Sequence, residues 1–224
     1  MNMIRKSIIS LGLVLLATPV IFGQDLSRYR NFVLGASLDT ISKQVGQDAH
    51  QATIISESPA LIQEMRHWQL ETSDSSGRTG SVSQISFNFY NGELYRIVVV
   101  YDQNAVEGLT EEDMVRAISS RYGVGVRLYS KIDFPSHDVY SSPGKVFAQW
   151  DDPKNSVSLF HSTGPEPFGL ALFSKRLNAQ AEAAIIESAK LAKERAPQKE
   201  IDRQKKEITD LGVARQKNTQ SFRP

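Results

Sequence analysis

The chain has 224 residues, 40% of them hydrophobic and 23% charged, and a formal net charge of +1. That balance is ordinary for a globular protein, and the length suffices to bury a core without covalent staples. It offers no bulk field for nucleic acid or an acidic substrate. The lack of any cysteine excludes disulfides, thiol nucleophiles, cysteine-based zinc sites and a lipid-modified N-terminal cysteine.

Arg5 and Lys6 precede an apolar run from Ile8 to Phe22, broken by Pro19. This is the layout of a secretory signal peptide, and the run is shorter than the about 20 residues of a spanning helix. Cleavage is expected after Gly23, with an uncleaved anchor as the alternative. Export without disulfides points to a bacterial periplasm or exterior, with no stable membrane span after cleavage.

Two helices are expected in the body. In "GASLDTISKQVG", Ser37 caps, Asp39 sits in the first turn, Gly46 terminates, and Leu38, Ile41 and Val45 share a face. In "LTEEDMVRAISSRYG", Thr110 and Asp113 form a capping box. There Val115, Ile118 and Tyr122 continue an apolar face up to Gly123. A shorter helix is expected at Ser58-Pro59, since proline suits the first helical position.

Strands follow each helix: "RHWQLE", "VSQISFNFY" and "ELYRIVVVYD" after the first, then "VRLYS", "KVFAQW", "SVSLFHS" and "FGLALFSK" after the second. Turn chemistry separates them at Ser75-Ser76-Gly77, Asn91-Gly92, Asp151 to Asn155 and Gly164-Pro165. Asn91-Gly92 marks a hairpin. A three-residue turn, Tyr90-Asn91-Gly92, would pair Phe87 with Tyr95 and align the apolar sets, whereas a two-residue turn would set Phe87 against Arg96. Apolar residues at both parities of 94–100 make the second strand central.

The expected class is α+β: antiparallel strands with helices packed on one face and a charged C-terminal helix. The domain layout is a signal peptide at 1–23, a globular region at 24–177, a charged helical tail at 178–211 and disorder at 212–224. The similar order of helix, Trp-bearing strand and further strands suggests two tandem units, 30–102 and 109–177. In the tail, Ile185, Ile186 and Leu191 are expected to dock on the body and Pro197 to interrupt or kink the helix. Ile201 and Ile208 lie a heptad apart, followed by Leu211.

The four histidines, His50, His67, His137 and His161, form no HExxH pair or close ligand spacing. The best constellation is "DFPSHD", with Asp133, His137 and Asp138 and the nearby Asp151 and Asp152, which reads more simply as a polar surface loop. There is no GxSxG elbow, P-loop or dinucleotide pattern. Glu111, Glu112 and Asp113 read as helix-capping electrostatics. Trp68 and Trp150 read as buried indoles with satisfied N–H groups, an exposed aromatic patch being the alternative. No residue is singled out as catalytic, cofactor-binding or metal-ligating, and no cofactor is implied.

The segments "LGASLDTISKQVG" and "ISFNFYNGELYRIVVVYD", with the intervening Trp68, resemble the small outer-membrane assembly lipoprotein family over residues 32–102, with an echo over 109–177. A tandem of such units resembles beta-lactamase-inhibitor-like proteins. The resemblance implies a helix pair on a three-stranded sheet and a protein-binding accessory role; the family's lipidated cysteine is absent. The resulting expectation is a non-enzymatic binding or scaffolding module of the bacterial cell envelope with a protein partner. A small-ligand carrier, or a hydrolase or metal-dependent enzyme with dispersed residues, is the alternative.

Overall fold

The computed structural model describes residues 25–68, 81–132, 144–161, 168–221 and 223. The expected signal peptide at 1–23, the constellation of Asp133, His137 and Asp138, and the turns expected at Ser75-Ser76-Gly77 and Gly164-Pro165 lie outside the described residues.

The protein is α+β. A short hairpin of β1 (Arg28–Tyr29) and β2 (Phe32–Val33) leads into α1 (Leu38–Val45). There follow β3 (Thr53–Ser56), β4 (Ile62–Trp68), β5 (Val82–Tyr90) and β6 (Glu93–Tyr101). After α2 (Gln103–Val106) and α3 (Glu111–Tyr122) come β7 (Val126–Ile132), β8 (Gly144–Asp151), β9 (Asn155–His161) and β10 (Phe168–Ser174), then α4 (Lys175–Ser221). The eight long strands form one antiparallel sheet in the order β3-β4-β5-β6-β10-β9-β8-β7.

The helix termini follow the cap chemistry. The Ser37 hydroxyl accepts from Thr40 N at 3.2 Å, and Gly46 closes α1 in the left-handed region at φ 68°. In α3, Asp113 N donates to Thr110 Oγ1 at 3.2 Å while the Asp113 carboxylate accepts from Thr110 N at 3.1 Å. Each cap satisfies backbone N–H groups that the first helical turn leaves orphaned. Ile41, Met114 and Tyr122 then enter one core with Phe87, Ile97, Leu159 and Leu170. This is the front face of the sheet.

The hairpin register departs from both expectations. Asn91 (φ 49°) and Gly92 (φ 80°) form a two-residue turn between Tyr90 and Glu93, the pattern of a type I′ turn. Yet Phe87 pairs with Ile97 and Ile85 with Val99, because a β-bulge shifts the register between Asn88 and Phe89. The extra residue, Tyr95, restores apolar alignment that the tight turn alone would have broken. A bulge also re-aims the side chains beside it. Tyr95 packs against the C-terminal helix, and its neighbour Arg96 bonds to the same helix. β6 is central, as its two-sided apolar pattern implied, paired to β5 and β10.

Other elements differ too. Ser58 and Pro59 lie in a bend rather than a helix. Leu61 is tied to the hairpin turn by two hydrogen bonds with Asn91, 2.9 Å from its N–H and 2.8 Å to its carbonyl, which keep this segment beside the sheet. α1 and α3 share the front face, whereas α4 takes the opposite, back face through Leu177, Ala181 and Ala184, packed on Ile62 and Tyr95. The docking stripe thus starts a turn or more before Ile185, and Ile186 is 71% exposed. α4 also runs past both Pro197 and position 211 to Ser221. The segment around Pro197 is exposed, so water can satisfy the carbonyl that proline leaves without a donor. At the far end, hydroxyls of Thr219 and Ser221 donate to carbonyls one turn back.

Candidate functional site

The back face of the sheet is unusually polar for a buried surface. Ser86, Asn88, Arg96, Ser156 and Ser158 are all buried, on strands whose other face carries the main apolar core. Arg96 is only 1% exposed. A buried guanidinium needs partners to offset its lost hydration, and α4 supplies them. Nε donates to Asn178 Oδ1 at 3.0 Å, Nη2 donates to the same oxygen, and Nη2 lies 3.2 Å from Glu182 Oε1. Asn178 Nδ2 in turn donates to Glu182 Oε1 at 2.8 Å. Burial pushes Arg96 below its ordinary value, while the neighbouring Tyr95 and Glu182 act in the opposite direction.

Beside this network lies a cavity of about 600 Å³ between α4 and strands β6 to β10. Arg96, Asn178, Ser158 and Gln149 give it a polar floor, and Val146, Phe173, Ile132, Ile185 and Ile186 give it apolar walls. Glu182, 54% exposed at the side chain, and Lys131 also line it. The cavity arises because α4 covers only one half of the back face. Its buried residues pack with Ile62 and Tyr95, partly buried Ile55 and Tyr90 joining them, all from the β3–β6 half.

Among the described residues, those weighed for catalysis do not converge. His50 is exposed, His67 is half-buried on β4, and His161 sits on β9 with Nε2 2.9 Å from Glu111 Oε1. Its ring packs 4.8 Å from Phe147 and 5.0 Å from Phe168, centroid to centroid. Asp151 pairs with Lys175 Nζ at 2.7 Å, while Asp152 accepts from the N–H groups of Lys154 and Asn155 to shape the β8–β9 turn. The acidic start of α3 caps the helix through Asp113 and pairs with Arg127 through Glu111 and Glu112. Among the described residues no group of three or more His, Asp or Glu is placed to hold a metal ion.

The two tryptophans part company. Trp150 is 2% exposed, its indole N–H donating to Gly123 O at 2.7 Å, whereas Trp68 on β4 is 60% exposed. The exposure of Trp68 corrects its expected burial. Large exposed apolar side chains gather chiefly along β7, at Val126 and Tyr129, and on the far part of α4, at Ile201, Ile208, Leu211 and Val213. Every residue of α4 from 192 to 221 is exposed, a stretch of about 45 Å at helical rise. No described helix is long and apolar enough to cross a membrane.

No reading of the sequence alone gives Arg96 its role at the floor of the cavity. The signal was there: one arginine within "LYRIVVV", a charge in the middle of a strand otherwise built for burial on both faces. No protein-family model, curated protein or solved structure matches the chain.

Proposed function

We propose that the chain is an exported, non-enzymatic binding module of the bacterial cell envelope, and that it engages a protein partner through the outer part of α4. The observation that carries this reading is the contrast within that helix. Its first turns are built into the sheet through Leu177, Asn178, Ala181 and Ala184, while every residue from 192 to 221 is exposed. Most of a helix's stability in a folded protein comes from packing an amphipathic face, and Ile201, Ile208 and Leu211 line one stripe of the outer segment at spacings of seven and three residues.

Such a stripe, flanked by Glu200, Arg203 and Glu207 that already pair along the helix, suits packing against a helix or groove of a partner. The charged leader and apolar run at the N-terminus support export. The likeness of residues 32–102 to accessory modules of outer-membrane assembly supports the partner being a protein.

The test is chemical crosslinking in intact bacterial envelope with three forms of the protein: residues 24–224, a form ending at Leu191, and full-length protein with Ile201, Ile208 and Leu211 each changed to Lys. The described residues that are removed or altered are all exposed, so the sheet and its core are left untouched. A partner crosslinked to the first form and lost from the other two is the expected outcome. Equal capture by all three, or no capture above background, would overturn the reading.

A further inference from the structure

We propose that the cavity between α4 and the second half of the back face binds an amphipathic monocarboxylate, with the ligand's carboxylate taking the place of Glu182 on Arg96 and its apolar body lying along Val146, Ile132 and Ile185. The proposal is independent of the partner surface on the outer helix.

The floor of the cavity already holds a carboxylate oxygen in a two-donor cradle. Glu182 Oε1 accepts from Asn178 Nδ2 at 2.8 Å and from Arg96 Nη2 at 3.2 Å. Both donors are fixed from below. Arg96 comes from the middle of the central strand, re-aimed by the bulge at Tyr95, and Asn178 is buried in the first turns of α4. Glu182 is different, being 54% exposed. Its side chain can swing into water and recover hydration there, so a competing carboxylate faces a weak occupant of a rigid cradle. Charge-assisted hydrogen bonds to a desolvated guanidinium are among the stronger polar contacts a site can offer.

The rest of the cavity selects the ligand's body. Its volume of about 600 Å³ falls within the range of roughly 300–1,000 Å³ typical of small-molecule sites. Above the cradle the walls are aliphatic and aromatic, with Lys131 adding a second positive charge. A small, wholly polar anion would leave those walls wet. An apolar molecule without a charge would forgo the cradle. One carboxylate on an aliphatic or arylalkyl chain satisfies both parts.

The test is calorimetric titration of residues 24–224 with decanoate below its micelle-forming concentration, with decanol as the uncharged control. Two variants, Glu182→Gln and Ile186→Asp, alter exposed side chains and leave the core packing alone. One decanoate per chain is expected, with decanol binding roughly tenfold or more weakly. Glu182→Gln removes the charged occupant of the cradle and is expected to tighten decanoate roughly three- to tenfold. Ile186→Asp, placing a negative charge against the cavity wall, should weaken it about tenfold. Equal affinity for decanol and decanoate, weaker binding by Glu182→Gln, or no binding by either the parent or Glu182→Gln would each overturn the proposal.

Discussion

Phe160 lies flat across the backbone of both neighbouring strands, and two glycines make room for it. A Cβ on Gly144 would come within 2.6 Å of the ring, and one on Gly169, which faces Phe160 directly across the β9–β10 pair, would overlap it. The expected cost of Gly169→Ala is therefore that of overpacking a tight core, about 1–3 kcal/mol, read as a lower urea midpoint. Gly212 in the outer helix has open space around it, and Gly212→Ala should leave that midpoint unchanged. At this scale the sequence gives residue types but not facing. Trp150 and Trp68 both lie on short strands beside polar residues, and only the fold shows one over Gly125 and bonded to Gly123 and the other exposed. Arg96 was legible as an anomaly in "LYRIVVV"; its partners, 82 and 86 residues further along the chain, were not.

Elements were more legible, because caps and periodicity are local physics. α1, α3 and the strands of the sheet's centre stand where Ser37, Thr110, Gly46, Gly123 and the alternating apolar runs put them. What local pattern misses is what tertiary contact creates. β1 and β2 are two residues each and exist because Tyr29 and Phe32 reach the core. The bulge at Tyr95 belongs to the same class, since it resolves a conflict between a tight turn and the apolar register. Tyr29, Tyr101 and Tyr122 tie three of these elements together, from β1, β6 and α3, with Tyr122 Oη donating to Arg28 O at 2.8 Å. Burial raises all three above the usual tyrosine value of about 10. A raised value means that the fold favours the protonated phenol. The stabilisation is then complete below pH about 10 and is lost as pH climbs through the higher values of the folded state. The urea midpoint should hold steady up to pH about 10 and fall above it, with tyrosinate absorbance from these residues appearing together with unfolding. Their ionisation with the fold intact would contradict the account.

For the molecule as a whole, the strand order reads β3-β4-β5-β6 and then β10-β9-β8-β7, so the two halves meet where β6 pairs with β10. Two tandem units joined edge to edge would give this order. α4 breaks the symmetry. It covers one half of the back face, leaves a cavity over the other, and then continues away from the body. The class of the fold and the existence of a charged terminal helix were readable from alternation and composition. Which face that helix chose was not, because β6 carries apolar residues on both faces and the contacts that decide it, Tyr95 on Leu177 and Arg96 on Asn178, join positions some 82 residues apart. The central claim is that the outer helix is a handle completed by a partner. Amide hydrogen exchange on residues 24–224, alone and after incubation with intact envelope, tests it most directly. The account predicts fast exchange over 192–221 in the isolated protein, slow exchange around Leu177 to Ala184, and at least about tenfold slowing of the outer segment in the envelope. An outer segment as protected alone as the docked turns, or one that the envelope leaves unchanged, would contradict it.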